Sequence, residues 1–267
     1  MHPRLAALDA LRLEEPESKV EATRALAALA LSQPMPLDAL RTAGDDVGVP
    51  GRPARPEHVS AMAVGKRSPF VPDGRAALIH SICHIEFNAI NLALDAVWRF
   101  DGMPEAYYRD WLRVADEEAQ HFAMLHAHLQ TMGFRYGDFT AHDGLWSMCE
   151  KTKHDVLARM ALVPRTLEAR GLDATPLIQA RLRRVNTPDA LRAVDILDVI
   201  LRDEVGHVAI GNRWYRWLCD GAGLDPIAHY RMLYRRHEAP RLKAPFNLEA
   251  RARAGFTDEE LRDLQQV

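Results

Sequence analysis

Two short patterns that pair a glutamate with a histidine three residues later are the residues of this chain best suited to chemistry. One is Glu118 with His121 in DEEAQH, and the other is Glu204 with His207 in LRDEVGH. On a helix, residues three apart share a face, with Cβ atoms roughly 5–6 Å apart. Each carboxylate–imidazole pair could therefore bind a metal ion, and two pairs that face each other could hold two ions.

The spacing alone is weak support, because the chain contains 16 glutamates and 12 histidines. Random placement would produce about 0.7 such pairs. The context carries more weight, since both pairs fall on predicted apolar helix faces. A buried, uncompensated carboxylate costs several kcal/mol or shifts its pKa, and coordination to a cation removes that penalty.

Hydrophobic periodicity predicts long helices that would position these side chains. The three clearest are residues 75–100 with a single glutamate, Glu86, residues 105–132 with the first pair, and residues 188–219 with the second. The apolar stripe of the first helix is predicted to run through Ile82, Ile85, Ala89, Ala93 and Val97. Glu86 lies on that stripe, so it is a third candidate ligand. His80 and His84 are assigned to the polar face of the same helix.

A further helix is predicted from about residue 145 to residue 170, and it is irregular. Pro164 should kink it or remove a hydrogen bond. Gly171 is typical of a helix end, and Thr175-Pro176 is typical of a new helix start. Alternatively, the two pieces form one long broken helix over residues 145–185.

This helix, which is the third of the four in chain order, offers several carboxylates as ligands. Glu168 lies near the middle of the long broken helix, and we favour it for that reason. Glu150 and Asp155 are the rival ligands on the same helix.

Together these helices predict an all-α fold. Two helices that give one glutamate each and two that give Glu-x-x-His supply the ligands of di-metal carboxylate bundles. The connection around residues 134–144 is 11 residues long and can reach roughly 36–40 Å when extended, whereas a helix of 25 residues is about 38 Å long. It could therefore act as the one long crossover of a four-helix bundle over residues 70–222.

The remaining chain is predicted to be accessory. Residues 1–60 form a helical arm and an irregular connector, and residues 223–267 form a helix and a tail packed on the bundle. The tail is locally basic, and we interpret it as an ion-paired, solvated surface rather than one that binds RNA. Its basic residues are Arg231, Arg235, Arg236, Arg241, Lys243, Arg251 and Arg253.

Composition favours a globular protein of the cytoplasm. The net charge of −3 gives no general electrostatic case for binding nucleic acid or a membrane. The three cysteines are far apart and form no CxxC, so they indicate neither a disulfide framework nor a zinc knuckle. The N-terminus does not look like a signal peptide, and we expect no membrane-spanning segment.

Four segments of the chain resemble the ferritin-like di-iron carboxylate superfamily and, more narrowly, a bacterial ferritin-like family of unknown function. The resemblance covers most of residues 70–255, and its segments are HSICHIEFNAINLALD, DEEAQHF, PRTLEARGLDATP and RDEVGHVAIGNRWY. It implies a ferritin-like bundle that binds two iron ions, with manganese or a mixed Fe/Mn pair as alternatives.

The resemblance also implies roles for individual residues. Glu86 and Glu168 would be the single carboxylates. Glu118 and Glu204 would be the bridging ligands, and His121 and His207 would each bind one ion. The acids that precede the bridging glutamates, Glu117 and Asp203, would each hydrogen-bond a ligand histidine of the other helix.

Three functional hypotheses follow. The first is a di-iron oxidase or monooxygenase that activates dioxygen on an unknown small-molecule substrate, with no catalytic residue assigned beyond the ligands. The second is a ferroxidase or a metal-storage protein, and the third is a non-catalytic bundle that acts through its surface. The sequence is compatible with a homodimer, and RNA binding is disfavoured but kept as a minor variant of the first hypothesis.

Overall fold

The structure, a computed structural model, describes residues 2–35, 46–65 and 68–264. These residues are predominantly helical and contain no β-strand, with one isolated bridge between His58 and Ala141. The predicted all-α class is therefore confirmed. The chain divides into two compact units, residues 1–146 and 147–267, and each is described by itself.

The described part of the first unit contains four helices, and the third and fourth begin and end close to the predicted positions. They are α1 (Pro3–Arg12), α2 (Pro16–Ser32), α3 (Pro72–Arg99) and α4 (Glu105–Thr131). A proline occupies the start of α1, α2 and α3, where its missing N–H has no helical partner to lose. A fifth helix, α5 (Gly144–Lys151), begins at the end of this unit. Part of the predicted connector, residues 36–45, lies outside the described residues.

Helices α3 and α4 form the antiparallel centre of the first unit. The Cys83 thiol lies 3.9 Å from the Phe122 carbonyl, and the Tyr107 hydroxyl donates to the carbonyl of Ala96. Most of α3 is buried, not only one stripe, and Ile85 on the predicted stripe is 51% exposed. Placing Ile85 in the core was wrong. The elements that bury α3 pack on its other faces and leave the Ile85 side chain exposed.

The apolar length of α3 would by itself allow it to cross a bilayer. However, 83% of its most apolar window is buried within the protein, and this is typical of a core helix. No other helix in the described ranges has that length and apolarity.

The N-terminal arm is fastened to the centre of the first unit by a buried lysine. Lys19 of α2 is 0% exposed. Its ammonium group donates to the backbone carbonyls of Leu11 at 3.1 Å and Gly51 at 2.8 Å, and to the side chain of Asn91 at 2.5 Å. One side chain thus joins α1, α2, the connector and α3.

The connection after α4 is folded rather than extended along the helices. Tyr136 bonds to His84 in the middle of α3, and the backbone of His142 also bonds to His84. The path that we predicted, an extended crossover along the length of a bundle, is therefore not seen between residues 136 and 142.

The second unit contains one long irregular helix packed against the longest helix of the chain. Its elements are α6 (Val156–Leu162), a π-helix (Val163–Glu168), α7 (Ala169–Val185), α8 (Pro188–Ala222), α9 (Pro226–Arg236), α10 (Leu248–Arg253) and α11 (Asp258–Leu264). The expected helix end at Gly171 and restart at Pro176 were wrong, because both lie inside α7. The alternative of one long broken helix holds for the part between residues 156 and 185.

Pro164 is accommodated by a widened turn. A proline inside an α-helix clashes with the carbonyl four residues earlier and supplies no N–H. Here the backbone becomes π-helical from Val163 to Glu168, and the Thr166 hydroxyl donates to the carbonyl of Ala161 at 2.8 Å. Such π-helical turns are rare and frequently occur at functional sites.

The register between this helix and α8 is set at both ends. A Cβ atom at Gly211 of α8 would lie 2.5 Å from the Cβ of Pro164, so the two backbones approach closely there. Further along, the amide of Gln179 donates to Asp198 at 2.6 Å. Both contacts fit an antiparallel packing of the π-helix and α7 against α8.

Candidate metal centre

Glu86, Glu118 and His121 form a buried cluster in the first unit, which we call the Glu86 cluster. Glu86 lies at the middle of α3, and the other two lie one turn apart on α4. The Nδ1 atom of His121 is 3.4 Å from the Oε2 of Glu86 and 3.3 Å from the Oε2 of Glu118. One ligand atom from each residue lies within 4.8 Å of the others. The structure therefore brings these three predicted ligands together.

The two buried carboxylates of the Glu86 cluster would be stabilised by a nearby positive charge. Burial, and then the negative charge of Glu118, raise the pKa of Glu86 well above its ordinary value. Burial alone would lower the pKa of His121, but its hydrogen bonds to Glu118 and Glu86 and their charges outweigh that effect and raise it to about 11. A metal cation would compensate the same two carboxylates, so the donor set fits such an ion.

The second predicted pair lies on α8 in the other unit. Glu204 is 8% exposed and His207 is fully buried. The Nδ1 of His207 lies 3.7 Å from the Oε1 of Glu204, as expected for residues three apart on one helix face. The pair thus repeats the chemistry of Glu118 and His121 within the second unit.

Glu168 ends the π-helix and lies at the level of the α8 pair. It is four residues after Pro164, whereas His207 is four residues before Gly211, the partner of Pro164. In an antiparallel packing, equal steps in opposite directions along two chains reach roughly the same level. Glu168 is also buried, at 8% exposure.

The rival ligands of the third helix are engaged elsewhere. Asp155 caps α6 by accepting a hydrogen bond from the backbone N–H of Ala158 at 2.9 Å. Glu150 pairs with Lys153 at 3.4 Å, and its side chain is 42% exposed. Both arrangements favour Glu168, whose role as a ligand stays a prediction.

The expected partners of the ligand histidines stay predictions as well. Asp203 accepts two hydrogen bonds from its neighbour Arg202, at 2.8 and 3.1 Å. Glu117 is half-buried on α4, next to Glu118.

A group of polar aromatic residues beside the Glu86 cluster was missed by the sequence analysis. His80 and His84 are buried, so placing them on a polar face was wrong. The Nδ1 of His84 lies 2.9 Å from the hydroxyl of Tyr136, whose ring packs on Phe87 and Phe122. The signal available was weak, because Tyr136 lies in a loop without periodicity.

The titration of this group reflects its burial. Burial, followed by the nearby His58 and His80, lowers the pKa of His84 to about 3. Burial, with Cys83 as the next contribution, raises the pKa of Tyr136 above its ordinary value. At neutral pH His84 and Tyr136 are therefore both uncharged.

Comparison with known sequences identifies relatives but no activity. Residues 12–262 match a family described as "Protein of unknown function (DUF455)". An uncharacterized protein of Haemophilus influenzae is 49% identical over 222 residues, which cover 80% of this chain and 76% of that protein. No solved structure matches the chain.

Proposed function

This chain belongs to the DUF455 family, whose function is not known, so its function has to be inferred from its own residues. We propose that it is a ferritin-like di-iron oxidoreductase. The two ions would be iron, with manganese or a mixed Fe/Mn pair as the alternative, and dioxygen would be a co-substrate. The organic substrate is a small molecule of unassigned class.

The buried Glu86 cluster is the observation that carries the proposal. Two carboxylates and an imidazole on the buried faces of α3 and α4 have no role in packing that alanine or leucine would not perform better. Their burial is unfavourable unless a cation or a proton compensates it. Mixed carboxylate and imidazole ligation suits iron and manganese.

The pattern of donors supports two ions rather than one. The Glu86 cluster offers two carboxylates and one imidazole, and Glu204, His207 and Glu168 repeat that composition in the second unit. By the ferritin-like resemblance, Glu118 and Glu204 would help to hold the two ions. Glu86 and Glu168 would each bind one ion, as would His121 and His207.

Each part of the chain would then have a chemical task. Two adjacent iron ions would supply the redox equivalents and the binding site for dioxygen. The carboxylates would coordinate the ions and balance their positive charge in a buried site, and each imidazole would supply a further ligand. Buried apolar residues of α4, such as Val114 and Phe122, would exclude water from the reacting groups.

Titration with Fe(II) under anaerobic conditions tests the proposal. We expect the purified protein to bind about two ions per chain, and to consume dioxygen when it is then exposed to air. Glu118→Gln and Glu204→Gln should each lose at least one ion. Glu105→Gln is the matched control on α4, because Glu105 is exposed and pairs with Arg109.

The proposal fails if the natural chain binds no iron or manganese while remaining folded. It also fails if Glu118→Gln and Glu204→Gln bind metal and consume dioxygen as well as Glu105→Gln does. That second outcome would favour a bundle that acts only through its surface.

A further inference from the structure

The C-terminal segment, residues 246–264, holds the π-helix that carries Glu168, and we propose that it controls binding of the ion that Glu168 contacts. The inference rests on the proposed di-metal function and adds a regulatory element to the same site. All the contacts that support it lie within the second unit.

The first contact joins α11 to the middle of the π-helix. Glu260 accepts a hydrogen bond from Arg165 at 2.7 Å and another from Arg216 of α8 at 2.7 Å. The side chains of Arg165 and Glu260 are 3% and 5% exposed. Glu260 also accepts from the backbone N–H of Thr257, while the Thr257 hydroxyl accepts from the N–H of Glu260. This reciprocal cap fixes the position of the carboxylate.

Arg165 is enclosed by further side chains, so its position is closely defined. Its guanidinium carbon lies 4.7 to 5.2 Å from the centres of three aromatic rings, Phe256, Tyr230 and Tyr215. It also donates to the side chain of Asn212 on α8. Because Phe256 belongs to the C-terminal segment, that segment supplies both a charged and an aromatic partner.

The second contact lies on the other side of Glu168. Arg251 of α10 is 1% exposed and donates to the backbone carbonyl of Ala169 at 3.2 Å. The same guanidinium binds Asp173 of α7 through two hydrogen bonds of 2.6 and 3.0 Å. Glu168 is therefore bracketed by the Glu260–Arg165 pair before it and by the Arg251–Ala169 bond after it.

The π-helix needs such contacts more than a regular helix would. Pro164 lacks the N–H of a helical hydrogen bond, and the widened turn replaces the usual ladder. The position of this turn is consequently set by side chains from other elements, including the 2.9 Å bond between Thr166 and Tyr230. A carboxylate on such a turn moves when those side chains release it.

Release of the C-terminal segment should therefore weaken the binding of one ion and leave the binding of the other unchanged. Glu86, Glu118 and His121 lie on α3 and α4 and not on the π-helix or the C-terminal segment, so we expect the ion that they hold to bind as before. Glu168 would lose its fixed position, and the second ion would lose a ligand. The segment thus offers a way to shift the protein from a two-ion state to a one-ion state.

Titration with Co(II), followed by its visible absorption, tests this inference in the full-length chain. We expect two ions for the natural protein. For Glu260→Gln we expect one ion with unchanged affinity and a second bound at least about tenfold more weakly. Asp263→Asn is the matched control, because Asp263 also lies on α11 but pairs with the exposed Arg231.

Arg251→Lys provides a second variant, because it keeps the charge but loses the bidentate bond to Asp173. It should show the same selective loss. Far-ultraviolet circular dichroism must show native helix content in each variant that is compared. The inference is overturned if folded Glu260→Gln and Arg251→Lys bind both ions like the natural chain, or lose both ions equally. If the natural chain itself binds no Co(II), Fe(II) or Mn(II), the proposed function fails first.

Discussion

At the scale of single residues, the Glu86 cluster places two carboxylates around one imidazole in the core of the first unit. With both carboxyl groups ionised, the three groups would carry one net negative charge even with His121 protonated. Burial makes that charge costly, and the raised pKa of Glu86 expresses the cost. Stability is thus sacrificed at this position, as is common at functional sites.

Removal of the surplus charge should stabilise the metal-free protein. Glu86→Gln keeps the shape of the side chain and leaves one carboxylate beside one imidazolium. We expect the free energy of unfolding at pH 7, measured with urea in the presence of a chelator, to rise by about 1–3 kcal/mol. Added Fe(II) should raise the melting temperature of the natural protein by more than that of the variant, which keeps the ligands of the other proposed ion. A loss of stability in metal-free Glu86→Gln would contradict this account.

Glu260 should make stability depend on pH in the acid range. Burial alone would raise its pKa, but the charge of Arg165 and the hydrogen bond from Thr257 outweigh burial, so the pKa is lowered. The folded state therefore releases this proton more readily than the unfolded state does. The resulting stabilisation is fully present above the unfolded pKa of about 4.5 and is lost as the pH falls through the lowered folded value.

Comparison of the natural chain with Glu260→Gln isolates this effect. Urea unfolding near pH 7 should show the natural chain to be more stable by about 1.5–3 kcal/mol, the range for hydrogen bonds to charged groups. The difference should shrink as the pH is lowered from 5 to 3. A difference that stays constant over that range would exclude the ionised carboxylate as its source.

At the scale of the elements, the regular helices could be predicted from the sequence and the irregular ones could not. The stripe on α8 that carries Glu204 and His207 predicted their burial, because one face of a long helix must meet a core. Pro164 predicted an irregularity in this helix, yet the sequence did not show that the backbone would widen into a π-helix and that the helix would then continue. That outcome depends on Arg165, Thr166 and their distant partners, and no local pattern encodes those partners.

The same limit explains the errors at His80, His84 and Ile85. Periodicity within α3 predicts one buried face, but the arm and the loop with Tyr136 pack on other faces of this helix. Those long-range contacts bury His80 and His84 and leave Ile85 exposed. The ligands were easier to predict, since Glu118 and His121 lie on a single helix and need no distant contact to be recognised.

The close approach of the π-helix to α8 gives a prediction at this scale. Gly211→Ala would place a methyl group 2.5 Å from the Cβ of Pro164, so the backbones would have to separate. We expect a loss of about 1–3 kcal/mol in the free energy of unfolding. Urea denaturation measures this loss.

Gly206→Ala is the control on the same helix. A Cβ at Gly206 meets nothing within 4 Å, and its gain in helix propensity should stabilise the protein by up to about 1 kcal/mol. Equal effects of the two substitutions would mean that the approach to Pro164 does not constrain α8.

At the scale of the whole molecule, the alternatives of an enzyme and a storage protein differ in mass and in capacity. A storage protein needs a cage of many chains, whereas a di-iron enzyme can function as a single 30.1 kDa chain or as a homodimer. We expect sedimentation equilibrium to give the mass of one or two chains. Iron uptake should stop at about two ions per chain. A large cage, or continued uptake of Fe(II) in air, would favour storage.

The buried ammonium group of Lys19 also provides a reporter of opening that requires no engineered probe. An amine that donates to Leu11, Gly51 and Asn91 and has no exposed surface should resist acetic anhydride, whereas exposed Lys151 should be acylated at once. Lys19 can react only when α1, α2 and the connector detach from α3. Its rate of acylation, read by mass spectrometry, would therefore record how often the N-terminal arm leaves the helices that carry the Glu86 cluster.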